Sequence, residues 1–417
     1  MIQNLNEELF SFIKKSPTGF HAVHELANYL TEAGFECLAE GNTWNLAEGG
    51  KYFVTRNQSA IIAFKVSRKD YSGFHIAASH SDSPTLKIKE SSEMNVENQY
   101  VKLNVEKYGG MLCAPWFDRP LSVAGRIIVK DGNRLTTKLI NVDRDLLMIP
   151  NLAIHMNREV NDGYKYNIQK DMLPLYRMSN SGKAFKEMIA EEAGVSVDQI
   201  KGMDLFLYNR MEGTIWGCDG EFISAPRLDD LQCAFTSTMA LLNSESDRCI
   251  PVAGSTFLYD ILRRINRSLG RTEEEYLTSL ASSFMVSADN GHAVHPNYAD
   301  KTDPTNRTYL NGGLVIKHSA NQKYTTDAAV MRCLCERAGV PYQEFLNRSD
   351  ILGGSTLGNI SNAQVSLNTV DIGLPQLAMH SPYETAGSKD MAYMEKAFEE
   401  FFKSAIRAEG DGTLVLE

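Results

Sequence analysis

Histidines and carboxylates stand at three places where an apolar run stops. Phe74-His75-Ile76-Ala77-Ala78 leads into Ser79-His80-Ser81-Asp82-Ser83-Pro84. Phe284-Met285-Val286-Ser287-Ala288 leads into Asp289, and Ile372-Gly373-Leu374-Pro375-Gln376-Leu377-Ala378-Met379 leads into His380. In extended chain, residues two apart lie on one side. The Asp82 carboxylate is therefore placed to accept one ring N–H of His80, which fixes the tautomer and leaves the other nitrogen for a metal. A lone His-x-Asp reads more simply as a capped strand end. Three runs that each deliver a zinc-type donor at the carboxyl end make a stronger pattern, because zinc takes imidazole nitrogen and carboxylate oxygen.

Two further stretches carry candidate side chains. In Arg227-Leu228-Asp229-Asp230-Leu231, the acids open a helix whose apolar face is Leu228, Leu231, Phe235, Met239 and Leu242. They read either as helix caps or as a carboxylate that bridges two metals. His155, in Ala153-Ile154-His155-Met156, reads either as a satisfied core histidine or as a functional one. Lys323 reads as a solvated surface lysine or as a cation for an acidic ligand.

The elements that must position these groups are of the α/β type. Binding crevices of such sheets lie at the carboxyl ends of the strands. Helices are expected over 5–13 and 20–33, and strands at 52–54, 60–64 and 74–79. From about residue 95 the texture turns β-rich. A hairpin is expected over 126–135, with Asp131-Gly132 at its turn, and one helix near 182–193. Helical α/β texture resumes at 228, and a closing helix is expected over about 389–407. Residues 95–222 therefore read as a domain inserted between 1–94 and 223–417.

The 417 residues are enough for two domains and a large core. Hydrophobic residues make up 43%, charged residues 23%, and the net charge is −10. That balance speaks against a nucleic-acid or membrane-surface partner. The start, Met1-Ile2-Gln3-Asn4-Leu5-Asn6-Glu7-Glu8, lacks the features of a secretory signal. Seven scattered cysteines give no disulfide framework, and a cytoplasmic location is expected.

Taken in order, the motifs resemble the aspartyl aminopeptidase family, a group of dinuclear zinc peptidases. They are Ser16-Pro17-Thr18, Phe20-His21-Ala22-Val23, Ser79-His80-Ser81-Asp82-Ser83-Pro84, Tyr108-Gly109-Gly110 and Trp116-Phe117-Asp118-Arg119. Leu152-Ala153-Ile154-His155, Pro226-Arg227-Leu228-Asp229, Ser287-Ala288-Asp289, His292 to Asn297 and Leu377-Ala378-Met379-His380-Ser381 continue the match over nearly the whole chain. The resemblance implies a mixed-sheet zinc-peptidase domain with helices on both faces, and an inserted β-rich dimerisation domain. It implies two zinc ions. His80, Asp229, Asp289 and His380 are the implied metal ligands, with Asp229 bridging and Asp82 orienting His80 as the implied catalytic aspartate. His292 and His155 are implied substrate contacts, His155 reaching into a neighbouring subunit's site, though a metal-ligand role is also open for it. A peptide substrate with an acidic N-terminal residue and a homo-oligomer of dimers, up to a dodecamer, complete the expectation.

One segment departs from that family pattern. The family carries Asp-Asn-Glu-Glu between the Asp229 helix and the helix that begins near Ser255. The first glutamate is the general base and the second a zinc ligand. Here Ile250-Pro251-Val252 runs into Ala253-Gly254-Ser255-Thr256, so no general base is found and occupancy of the second zinc site is in question. Glu245 and Asp247, just upstream, are weak substitutes. A non-catalytic, peptide-binding or scaffold member is the alternative expectation.

Overall fold

The computed structural model describes residues 2–254, 257–321, 327–351, 353–354, 356–410 and 412–417. Lys323 lies outside the described residues.

A nine-stranded sheet organises the chain. Its order is Glu36–Cys37, Lys51–Arg56, Ala60–Lys65, Ile250–Gly254, Phe74–Ala78, Phe284–Ala288, Asn368–Gly373, Leu314–His318 and Tyr342–Leu346. Ile250–Gly254, Phe74–Ala78, Phe284–Ala288 and Asn368–Gly373 run parallel, so their carboxyl ends share one edge. Leu314–His318 runs antiparallel to Asn368–Gly373, and Ala60–Lys65 antiparallel to Ile250–Gly254, so the sheet is mixed.

Phe74–Ala78 is buried at all five positions, as expected of a parallel strand covered on both faces. Alternate side chains enter opposite layers. Phe74, Ile76 and Ala78 pack with Ile261, Leu262 and Ile265 of Leu258–Ser268 and with Tyr276 of Glu273–Ala281. Ala77 packs in the other layer with Phe12, Leu26, Phe235 and Phe398. Those residues come from helices Ile2–Lys15, Gly19–Glu32, Leu228–Asn243 and Asp390–Lys403. Helices thus cover both faces, and the two apolar layers clamp the strands whose ends carry His80 and Asp289. No helix among the described residues is long and apolar enough to cross a membrane.

The run Ile250-Pro251-Val252 is a strand and continues past Val252. Ala253 and Gly254 are its last two residues, and Ile250–Gly254 pairs along its full length with Phe74–Ala78. Gly254 is held against its other neighbour so closely that a Cβ would lie 2.6 Å from the Ile61 oxygen. The strand therefore ends beside Ala78 in a residue with no side chain.

A second sheet of six antiparallel strands has the order Arg134–Asn141, Leu121–Asp131, Ile200–Asn209, Thr85–Val96, Tyr100–Tyr108 and Leu175–Met178. It has its own core, including Leu86, Leu103, Val123, Ile127 and Leu205, with helix Phe185–Ala193 packed on it. Asp131 pairs with Arg134, which leaves Gly132 and Asn133 as the hairpin turn. Gly132 takes φ +57°, a conformation glycine adopts without steric cost. The expected division at residue 94 falls inside the strand Thr85–Val96, where the chain is already in this second sheet.

A third sheet joins distant parts of the chain in the order Thr214–Trp216, Phe222–Ala225, Glu384–Gly387, Pro375–Leu377 and Gly291–His292. Its pairing sets Glu384 opposite Ala225.

Candidate metal centre

Four of the residues singled out in the sequence meet at the carboxyl edge of the nine-stranded sheet. His80 lies two residues past Phe74–Ala78, and Asp289 directly follows Phe284–Ala288. Asp229 stands at the head of Leu228–Asn243, where the backbone of Asp229 and Asp230 is not yet helical. Neither acid acts as an N-cap there. His380 lies in the turn between Pro375–Leu377 and Glu384–Gly387.

His80 Nε2 is 3.5 Å from Asp229 Oδ1 and 3.7 Å from Asp289 Oδ1. His380 Nε2 is 3.2 Å from Asp229 Oδ2. The donor atoms of His80, Asp229 and Asp289 all lie within 4.8 Å of one another. Tetrahedral zinc with ligand bonds of about 2.0–2.1 Å spaces its donors by about 3.3 Å, so these separations suit a ligand set. Asp229 Oδ1 is buried and has no hydrogen-bond partner. An ion or a water satisfies such an oxygen, and the donors gathered around it suit a cation. The two Asp229 oxygens face different histidines, which is the geometry of a bridging carboxylate.

The surrounding bonds fix these side chains. His80 Nδ1 lies 2.9 Å from the Asp82 main-chain oxygen. A carbonyl only accepts, so Nδ1 carries the hydrogen and Nε2 faces the acids. The Asp82 carboxylate is farther away, with Oδ1 at 3.5 Å. Its Oδ2 accepts a short bond from the Tyr108 hydroxyl, which comes from the second sheet. The main-chain oxygen is therefore the nearer partner of His80, and the carboxylate links the two sheets.

Asp230 Oδ2 accepts from His80 N at 3.2 Å, and the Ser83 hydroxyl donates to Asp229 O at 2.7 Å. Asn290 Nδ2 donates to Leu228 O at 3.0 Å, and Lys317 Nζ donates to Asn290 O at 3.0 Å. Glu384 Oε2 accepts from Asp229 N and its Oε1 from His380 N. Tyr108, Asn290, Lys317 and Glu384 escape a reading of the sequence for donor spacing, since none sits beside its contact in the chain.

Electrostatics follow the crowding of acids. Burial alone would raise the Asp229 carboxyl, but His380 and His80 beside it hold it well below the usual range. Burial would likewise raise Asp289, and Lys317 and His80 bring it down. Burial opposes charge on His80, yet Asp229 and Asp230 lift its imidazole well above its ordinary value. Burial, reinforced by Asp229, pushes the Glu384 carboxyl well up.

The remaining two candidates are placed differently. His292 pairs in the third sheet and stands within reach of the charges of Lys317, His380, Asp229 and Asp289. His155 is exposed on the one-turn helix Ile154–Met156 and is not among the converging residues of its own chain.

A parallel-centred sheet covered by helices, with an imidazole and carboxylate cluster at its strand ends, defines a metallohydrolase. The family model described as aminopeptidase I zinc metalloprotease (M18) matches residues 12–402. The chain is 47% identical to a probable M18 family aminopeptidase 2 of Clostridium acetobutylicum, over 95% of this chain and 98% of the relative. It is 40% identical to the protein of that name from Pseudomonas aeruginosa, over 97% and 99%. Among solved structures, the Ape4 and Nbr1 complex matches with TM-score 0.91 and 34% identity, covering 96% of this chain and 86% of that one. The S. cerevisiae mApe1 dodecamer matches with TM-score 0.81 and 25% identity, covering 95% and 96%. This chain belongs to the M18 family of zinc aminopeptidases and is a hydrolase of that class.

Proposed function

We propose that this aminopeptidase releases acidic N-terminal residues from peptides with strongly reduced activity. The observation that carries the reading is the Asp229 carboxylate set between His80 and His380. In this reading His80, Asp229 and Asp289 would hold one zinc, and Asp229 with His380 would hold a second. Bound zinc supplies Lewis-acid polarisation of a carbonyl and lowers the pKa of water to about 7. Asp82 and Tyr108 keep His80 turned into the cluster, and His292 lies where a bound peptide would meet it.

The reduced activity rests on the carboxylates near the cluster. Among the described residues each is committed. Asp229 and Asp289 are ligands, Asp82 is bonded to Tyr108, Asp230 is buried beneath His80, and Glu384 accepts from two backbone N–H groups. The strand beside Phe74–Ala78 ends in Gly254 and delivers no acid. Glu245 and Asp247 precede that strand, which puts them toward the opposite edge. The alignment with the C. acetobutylicum relative runs over 424 positions, more than this chain's 417 residues, so the relative carries residues with no counterpart here. Lack of a general base typically costs about 10² to 10⁴ in rate. With two protein donors at the His380 position, the second ion is expected to be held weakly.

The test is hydrolysis of Asp-, Glu- and Leu-terminal peptides with zinc added and His80→Ala as the blank. We expect turnover of the acidic peptides above the blank and at least about 100-fold below the C. acetobutylicum relative. Parity with that relative overturns the reduced-activity reading. A rate equal to the blank with peptide still bound favours the second reading, a peptide-binding or scaffold subunit, which the side-chain-free strand end at Gly254 supports.

The same proposal includes self-assembly and a division into a peptidase part and a dimerisation part, the latter built on the second sheet from Thr85 to Asn209. Exposed Leu152, Ile154 and Met156 around His155 support an interface there, and the S. cerevisiae relative is a dodecamer. A partner's His155 would then complete the site. The seven cysteines all being free supports a cytoplasmic setting.

A further inference from the structure

We propose that Glu384 is a positioning residue whose buried carboxyl group fixes the placement of Asp229 relative to His380 at the metal centre by accepting from the main-chain N–H of each. The inference rests on the ligand reading above. Glu384 Oε2 accepts from Asp229 N at 2.9 Å and Oε1 accepts from His380 N at 2.7 Å. One side chain, 1% exposed, thus holds the backbone of the bridging ligand and of the last histidine.

Both segments need such support. Arg227 takes φ +60°, two residues before Asp229, while Ala378 takes φ +54° and His380 itself φ +66°. These are left-handed conformations that side-chain-bearing residues adopt at a cost, and they persist where the surroundings over-determine them. The third sheet supplies that surrounding, since Glu384 pairs with Ala225, just upstream of the strained Arg227. The clamp ties Asp229 to a side chain 155 positions away in the chain. It also aims the two halves of the Asp229–His380 contact at each other.

The test uses the full-length protein and zinc affinity measured by chelator competition, beside the unfolding midpoint of the metal-free form. Glu384→Gln keeps the volume but presents an amide N–H₂ to one of the two backbone N–H groups, so one half of the clamp is lost. We expect its zinc affinity to fall about 10- to 100-fold with the metal-free midpoint little changed. Glu384→Asp keeps both acceptor oxygens on a shorter stem, and an affinity between those of Glu384→Gln and wild type is expected. Unchanged zinc affinity in Glu384→Gln, with His80→Ala abolishing binding, overturns the clamp. So does a fall in the metal-free midpoint large enough to account for the lost affinity, since Glu384 would then be a structural acid only. Wild-type zinc binding by His80→Ala would instead sink the ligand reading on which the clamp is built.

Discussion

At the scale of single residues, the site depends on how His80 is aimed. Its Nδ1 is anchored on a main-chain oxygen, which mutation of Asp82 does not remove. The Asp82 carboxylate instead reaches Tyr108, and Tyr108 belongs to the second sheet. Tyr108→Phe deletes that bond and leaves the ring. We expect zinc affinity to drop about 10-fold, the low end of the 10- to 100-fold range usual for outer partners of ligands. The loss in stability should stay near 1 kcal/mol. A chelator titration paired with urea unfolding checks both. No change in zinc affinity would show that the carbonyl anchor alone suffices.

At the scale of elements, ligand geometry is a property of neighbouring strand ends. Asp289 N donates to Ile372 O at 3.0 Å, which ties the end of one strand to the next. Gly373 follows, and a Cβ there would overlap the Asp289 main-chain oxygen. Gly373→Ala must push the two strand ends apart. A cost of about 1–3 kcal/mol is expected, together with weaker zinc binding, because Asp289 moves with its backbone. Full zinc affinity in a destabilised Gly373→Ala would mean that the strain is absorbed elsewhere. The strand Ile250–Gly254 shows the converse: it pairs in register like its neighbours, yet its last residue is a glycine.

At the scale of the whole molecule, two properties lie outside the cluster. Asp390, at the start of the last long helix, is fully buried and accepts from Asn311 N at 2.7 Å and Gly313 N at 2.9 Å. Burial raises its carboxyl to about 7, against the pull of those N–H groups. A carboxyl raised on folding binds its proton more tightly in the native state. Its contribution to stability is therefore full below about 3.9, the unfolded value, and is lost as pH climbs through about 7. Asp390→Asn should gain on wild type by on the order of 1 kcal/mol per pH unit across that window. Denaturant unfolding at pH 5 and pH 8 measures it, and parallel pH profiles would refute it. The second property is assembly. Met156, 76% exposed, sits in the apolar turn next to His155. Met156→Asp should shift light-scattering mass toward smaller species and lower any turnover that needs a partner's His155. An unchanged mass would move the interface elsewhere.

Much of the architecture was legible in the chain because its signals are local. Apolar runs marked the central strands, helical periodicity marked Gly19–Glu32 and Leu228–Asn243, and Asp131-Gly132 marked a hairpin. His80, Asp289 and His380 stood out because strand ends are where α/β sheets present side chains. Other features depend on contacts between distant residues, which no spacing encodes. Tyr108 reaches Asp82 from another sheet, Glu384 reaches Asp229 across the third sheet, and the strand Ile250–Gly254 is completed by pairing on both sides rather than by its own sequence. The sequence by itself determined which donors exist and that each follows a buried strand or heads a helix. Only the tertiary structure decided that the two oxygens of Asp229 face two different histidines, because that depends on strand order and on the backbone bends at Arg227 and His380.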